Sequence, residues 1–163
     1  MELKKHINFR KFAAVLYFLA FFVYLIIGLA PADAVQYEIE GSLEMPAIGL
    51  QSDVTRLKLH NHKLDTPDTI VGSFSWEENK TLLIGHSTTV FENLNLTVVG
   101  DVIVYNGKNY WVTDIVVKEK SKIIMEELLE GADKDTLVIM TCAGEIFESG
   151  DATHRLIVTA VSD

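Results

Sequence analysis

Three residues of this chain have side chains suited to acyl chemistry, and each sits on or beside an apolar run: Cys142, which is the only cysteine, His86 and Arg155. A thiol, an imidazole and a guanidinium supply a nucleophile, a proton carrier and a cation for developing negative charge. A free thiol of pKa about 8.5 is only a few per cent thiolate at neutral pH, so it needs a nearby cation to favour the anion. Taken singly, each residue has a plainer reading. A lone cysteine is most often a small buried hydrophobe, a histidine after glycine a surface or capped residue, and an arginine on a terminal strand a solvated edge charge. Only their joint placement sets those readings aside.

The elements that must position them are strands. Residues 136 to 144, Thr-Leu-Val-Ile-Met-Thr-Cys-Ala-Gly, are β-branched and apolar, bounded by Asp133-Lys134-Asp135 and by Gly144. Alternation puts Thr136, Val138, Met140 and Cys142 on one face and Leu137, Ile139 and Thr141 on the other. A thiol at the point where a strand leaves its sheet is both held and exposed. Upstream, Leu83-Ile84-Gly85-His86 ends a second apolar run, and downstream His154-Arg155-Leu156-Ile157-Val158 forms a third. Alternation turns His154 to the face opposite Arg155, so it takes no catalytic role.

Further strands are expected at residues 45–50, 54–59 and 69–74, with a short turn or helix in 90–101. Asn106-Gly107 between Val102-Ile103-Val104-Tyr105 and Tyr110-Trp111-Val112-Thr113 predicts a tight hairpin, since that dipeptide accepts positive φ. Residues 120–130 read as a helix closed by Gly131. Seven or eight short strands with one or two short helices in about 130 residues predict a mostly β chain, a closed barrel or a sandwich.

The front of the chain is different. Residues 12–30 are 19 long and carry no charge, enough at about 1.5 Å per residue to cross a bilayer core of about 30 Å. Lys4, Lys5, Arg10 and Lys11 precede them, which keeps residues 1–11 cytoplasmic and sends the rest outside the plasma membrane. Ala32-Asp33-Ala34 has the small-x-small form of a processing site, but an apolar run of 19 exceeds the signal-peptide core of about 7 to 15, so a single-pass anchor is expected. Residues 31–44 then read as a tether and 45–163 as the catalytic domain. Residues 1–30 hold four of the 14 Lys and Arg and one of the 23 Asp and Glu, leaving 10 against 22, a net of −12, on the exported part. That balance argues against binding nucleic acid or lying on an anionic bilayer. One cysteine excludes a disulfide scaffold, and an unpaired thiol in an exported domain is a reactive candidate.

The ordered set of His86, then Cys142 on its strand, then Arg155 on the last strand resembles the sortase family of membrane-anchored cysteine transpeptidases. The likeness extends to the amino-terminal apolar segment, Pro46-x-Ile48-x-Leu50, Gly85-His86, Gly100-Asp101-x-Ile103 and Arg155-Leu156-Ile157-Val158. The family's Thr-Leu-x-Thr-Cys pattern is altered here: Thr141-Cys142 follow Val138-Ile139-Met140, and Thr136-Leu137 lie two residues early. A two-residue offset preserves the strand faces. The loop from Ala143 to Thr153 is short and acidic, which leaves no room for a large insertion. The resemblance implies a closed sortase-like barrel, His86 as general acid and base, Cys142 as nucleophile, Arg155 as oxyanion or substrate stabiliser, and Thr141 and Gly85 in support. It also implies cleavage of a Leu-Pro-x-Thr-Gly-like sorting signal on surface proteins and transfer of the acyl group to an amine, either a peptidoglycan precursor or a pilin lysine. No cofactor is expected. Glu119, Glu126 and Glu127 are weak calcium candidates by the same resemblance, against the simpler reading of a solvated helix face. His60 and His62 lack a completing ligand set and read as loop residues. Asn79-Lys80-Thr81 and Asn95-Leu96-Thr97 match a glycosylation sequon that arises often by chance. Two alternatives stay open: a cysteine peptidase that releases its product to water, and a tethered barrel that binds without catalysis.

Overall fold

Alternating apolar residues close this chain into a barrel. The computed structural model describes residues 37–60, 63–75, 77–148 and 151–163, and in them ten strands follow one another. They are β1 (Ile39–Met45), β2 (Leu50–Arg56), β3 (Leu59–His60), β4 (Lys63–Leu64), β5 (Val71–Phe74), β6 (Lys80–Ile84), β7 (Val102–Tyr105), β8 (Lys108–Glu119), β9 (Thr136–Ile146) and β10 (Ala152–Val161). Eight of them hydrogen-bond in the order β1, β2, β5, β6, β9, β10, β8, β7, and β7 returns to β1. The β3 and β4 pair forms a separate ribbon. The mostly β closed barrel expected from sequence is therefore present, and closure gives each of its eight strands a partner on both sides along at least part of its length.

Each face of β9 packs into a different apolar layer. Leu137 and Ile139 point into the barrel with Leu43, Val54, Leu83, Ile103, Leu156 and Val158, while Phe91 and Leu94 plug it from the loop before β7. A fully buried side chain of this kind contributes about 1.5–3 kcal/mol, so this inner layer dominates stability. Val138 and Met140 point outward, with Leu82 and Ile157, under Ile123, Met125, Leu128 and Leu129 of a covering segment. That segment contains helix α1 (Met125–Leu129). The outer layer is smaller, and its work is to hold the covering segment against the sheet.

Several local expectations change. Residues 45–50 are not a strand: Pro46, which cannot donate to a ladder, opens a 3₁₀ turn over Pro46–Ile48 that joins β1 to β2. Part of the expected tether, 39–44, belongs to β1, paired with β2 and β7. Gly41 hid this strand by breaking its alternation, and a Cβ there would collide with the Asn106 side chain, whose Oδ1 accepts from Ser42 N at 3.0 Å. The 120–130 helix shrinks to the five residues of α1 after a 3₁₀ turn at Lys120–Lys122. No side chain caps α1, Ile124 is extended, and Gly131 donates its N–H to Glu77 Oε2 at 2.8 Å instead of closing a helix. The β7–β8 hairpin turns on Asn106 and Gly107 at φ 50° and 77°, as their types predict. The anchor expected at 12–30, the stretch 1–11 and the Ala32-Asp33-Ala34 site lie outside the described residues, as does His62. Among the described residues no helix is long and apolar enough to cross a membrane.

Candidate active site

Strand register assembles the candidate residues into a row. β6 runs parallel to β9 with pairings from Lys80 and Thr136 through Ile84 and Met140, a constant offset. The same offset continues past the last pair: Thr141 Oγ1 donates to Gly85 O at 2.8 Å, which brings His86 level with Cys142. On the other side of β9, Arg155 of β10 is the direct partner of Cys142. Directly opposed residues of an antiparallel pair share a face with Cβ atoms about 4.5–5.5 Å apart. His86, Cys142 and Arg155 thus line one cleft of about 1120 Å³, walled by Met125 and Leu129 of α1 and floored by Ile84 and Met140.

Cys142 is not at the end of its strand, which corrects the picture from sequence. β9 continues to Ile146, and the thiol is half-buried. It is reachable because β6 stops at Ile84 while β9 goes on. Two residues beyond, Gly144 and Glu145 together oppose Thr153, and Gly144 has φ 76°. This is a bulge with glycine in the left-handed region, and it bends β9 away just past the thiol.

Gly85 holds its place for want of a side chain. A Cβ there would lie 2.5 Å from Val90 Cγ1 and 2.8 Å from the Phe91 ring. Phe91 N and Thr89 N donate to His86 O at 3.0 and 3.3 Å, which fixes the backbone that carries the imidazole. His86 Nε2 is 3.9 Å from Asp68 Oδ1, too long for a hydrogen bond, and Asp68 is 92% exposed, so that carboxylate is only weakly felt.

Arg155 is held more firmly than a solvated edge arginine would be, with a side chain only 15% exposed. Its Nη1 donates to Ala152 O at 3.1 Å and to His154 O at 2.9 Å, and its Nη2 donates to Asp151 Oδ1 at 2.8 Å. Of five guanidinium protons these bonds engage three, leaving Nε–H and one Nη2–H without a partner among the described residues. Asp151 also accepts from Lys120 Nζ through Oδ2. The Lys120 bond first, then those of Arg155 and of Ala152 N, hold the Asp151 carboxyl well below the usual carboxylate range.

The three residues singled out for chemistry come together, with Thr141 and Gly85 as the link between their strands. Glu126 and Glu127 line the cleft alongside Glu77 and Glu130. Glu119 instead pairs with Lys122 at 3.0 Å, and no group of His, Cys, Asp or Glu set to hold a metal occurs among the described residues. His60 sits exposed on the β3–β4 ribbon, and His154 Nδ1 is 2.8 Å from Thr153 Oγ1. Asp151 and Lys120 were missed. The available signal was an acidic residue four before Arg155 at the neck of a hairpin.

A family model described as the sortase domain matches residues 43–163. Among solved structures the chain is similar to sortase A from Corynebacterium diphtheriae, at 21% identity and TM-score 0.60 over 78% of this chain and 62% of that one. It is similar also to sortase C from Clostridium perfringens SM101, at 21% identity and TM-score 0.57 over 77% of this chain and 70% of that one. Sortase A of Listeria monocytogenes, at 13% identity and TM-score 0.60, is covered over 87% of its length by 77% of this chain. The chain therefore spans under two thirds of the Corynebacterium protein and most of the Listeria one. No curated protein sequence matches it.

Proposed function

The chain belongs to the sortase family, and on that premise we propose that it is a cysteine transpeptidase that cleaves a Leu-Pro-x-Thr-Gly-like sorting signal and transfers the acyl group to an amine. The observation that carries this reading is the row of His86 just past β6, Cys142 on β9 and Arg155 on β10, all lining one cleft. In the proposed reaction the Cys142 thiolate attacks the threonine carbonyl, and the C–S bond forms as the carbonyl π electrons move to oxygen. Nε–H and the remaining Nη2–H of Arg155, with backbone N–H groups, receive that oxyanion. His86 gives a proton to the departing amine as the C–N bond breaks, which leaves a thioester on Cys142. An incoming amine then loses a proton to His86, attacks the thioester and releases the thiolate. The acceptor is a peptidoglycan precursor or a pilin lysine. The enzyme works outside the plasma membrane, tethered through residues 12–30, on surface proteins that carry the signal.

Glu77, Glu126, Glu127 and Glu130 along the cleft support an amine acceptor over water, because a negative field concentrates ammonium groups and does nothing for a neutral molecule. The deciding experiment incubates the protein with a sorting peptide, with and without an amine, and follows acyl-enzyme and product masses. A thioester that maps to Cys142 and an amide product that grows with amine concentration are expected. Hydrolysis alone at saturating amine would make the protein a peptidase. Peptide binding with no cleavage would make it a binding barrel.

A further inference from the structure

Asp151 lies in the loop between β9 and β10, and both of its carboxylate oxygens are engaged. Oδ1 accepts from Ala152 N at 2.9 Å and from Arg155 Nη2 at 2.8 Å, while Oδ2 accepts from Lys120 Nζ. Lys120 belongs to the 3₁₀ turn that leads into the α1 wall of the cleft. A partly exposed carboxylate is ordinarily mobile, but this one is restrained from its own turn, from the last strand and from the covering segment. Three donors occupy most of its acceptor positions, and the two cations among them disfavour its taking up a proton as a general base. Its effect must pass through the cations it holds.

We propose that Asp151 is a positioning residue for the active site: anchored by Lys120, it grips one edge of the Arg155 guanidinium so that Nε–H and the second Nη2–H are presented to substrate in a fixed plane. The inference rests on the role given to Arg155 above. The strand carbonyls of Ala152 and His154 take both Nη1 protons but sit three and one residues from Arg155 on its own strand, so they restrain the end of the side chain without tying it to the segment that leads into α1. Asp151 adds that tie through Lys120. Lys120 first and then Arg155 favour the ionised carboxylate, the form that grips a guanidinium.

The test uses the full chain with a sorting peptide and a saturating amine, and compares Asp151→Asn, Asp151→Glu, Lys120→Met, Arg155→Ala and the Asp151→Asn/Arg155→Ala double variant. Each is measured for kcat, KM, unfolding midpoint and the alkylation rate of Cys142 by a neutral reagent. Asp151→Asn should lower kcat roughly tenfold to a hundredfold, the scale of lost support for a reacting group, with KM and Cys142 alkylation nearly unchanged. Asp151→Glu should restore part of that loss, Lys120→Met should show a smaller drop, and the double variant should be no slower than Arg155→Ala alone. Full kcat in Asp151→Asn, or effects of Asp151→Asn and Arg155→Ala that multiply, overturns the positioning role and leaves the transpeptidase reading standing. Full turnover in Arg155→Ala removes the role of Arg155 itself and takes this inference with it. If Asp151→Asn does not fold, Asp151→Glu and Lys120→Met carry the same comparison, and normal kcat in both overturns it.

Discussion

Opposite ends of strands β8, β9 and β10 carry polar clusters of one design with different consequences. Before β9, Asp135 Oδ2 accepts from Lys108 Nζ at 2.6 Å and from Tyr110 Oη at 2.9 Å, with the ammonium 5.4 Å from the Tyr110 ring centroid. Past the far end of β8, Asp151 bridges Lys120 and Arg155. In both, a carboxylate joins two donors from separate segments. At the first end the phenol gives its one proton to Asp135 and the spare protons of the Lys108 ammonium are on a half-exposed side chain, while the backbone around the cluster is paired through Thr136 N to Asn79 O and Ser162 N to Asp135 O. At the second end the guanidinium keeps two protons, and the β6 ladder stops beside Cys142. A cluster set in fully paired backbone, with its spare donors on a half-exposed lysine, adds stability. One with donors left over beside an interrupted ladder can bind something else.

That contrast predicts that substitutions at the open end move turnover and those at the closed end move stability. The largest effect belongs to Cys142→Ala, expected to lower turnover more than about a thousandfold with the unfolding midpoint nearly unchanged. Measurable acyl transfer by that variant would shift the nucleophile elsewhere and erase the distinction between the ends. Arg155→Lys comes next, with a loss of roughly tenfold to a thousandfold in turnover, because an ammonium supplies the charge without the planar fork. A solvated edge arginine would contribute little to folding, and its exchange would leave the unfolding midpoint alone. The burial of Arg155 and the Asp151 pair change that, and the midpoint should also fall by the equivalent of about 1 kcal/mol. A lowered midpoint with normal turnover would make Arg155 as structural as Tyr110. Thr141→Val is smaller on both counts: it keeps the shape, removes the buried bond to Gly85 O, and should cost about 1–3 kcal/mol of stability. Turnover should fall only severalfold, since Val90 and Phe91 still pack over Gly85. A loss in turnover as large as that of Cys142→Ala would mean that this one bond sets the His86 geometry.

What was legible in the sequence follows from period. Strand alternation put Cys142 and Met140 on one face and Thr141 on the other, and the structure keeps that division, with Thr141 tied inward to Gly85 and Cys142 open to the cleft. Asn106-Gly107 encoded its turn because few dipeptides accept two positive φ values. Tertiary contact decided the rest. Residues 120–130 carry helix formers, yet packing of Ile123, Met125, Leu128 and Leu129 on the outside of the sheet leaves one short helix. β1 was hidden by Gly41, whose absent side chain makes sense only once Asn106 is seen docked there. Why Cys142 is accessible could not be read either, because it depends on where a different strand, β6, ends. Asp151 registered only as loop acidity, since its partner Lys120 is 31 residues away.

The smallest effect, and the one that tests the closed end by itself, is Tyr110→Phe. It removes the bond to Asp135 and leaves the ring packed, so stability should drop by about 1 kcal/mol with turnover unchanged. The pH dependence gives the sharper result. Burial first, then the hydrogen bond to Asp135 and its charge, push the Tyr110 pKa well above the ordinary tyrosine value of 10.0. A folded pKa raised above the unfolded one means that the stabilisation is complete below about 10 and is lost as pH climbs from there through the raised folded value, because the unfolded chain releases its proton first. The wild-type protein should therefore lose stability with rising pH above about 10, and Tyr110→Phe should lose it less steeply. Some slope will persist, since burial also raises the pKa of Tyr105. Unfolding midpoints of the two proteins across the alkaline range measure this directly. Equal slopes would remove Tyr110 as the source. A change in turnover at neutral pH would show that the two ends are coupled through β8, β9 and β10 and would break the comparison.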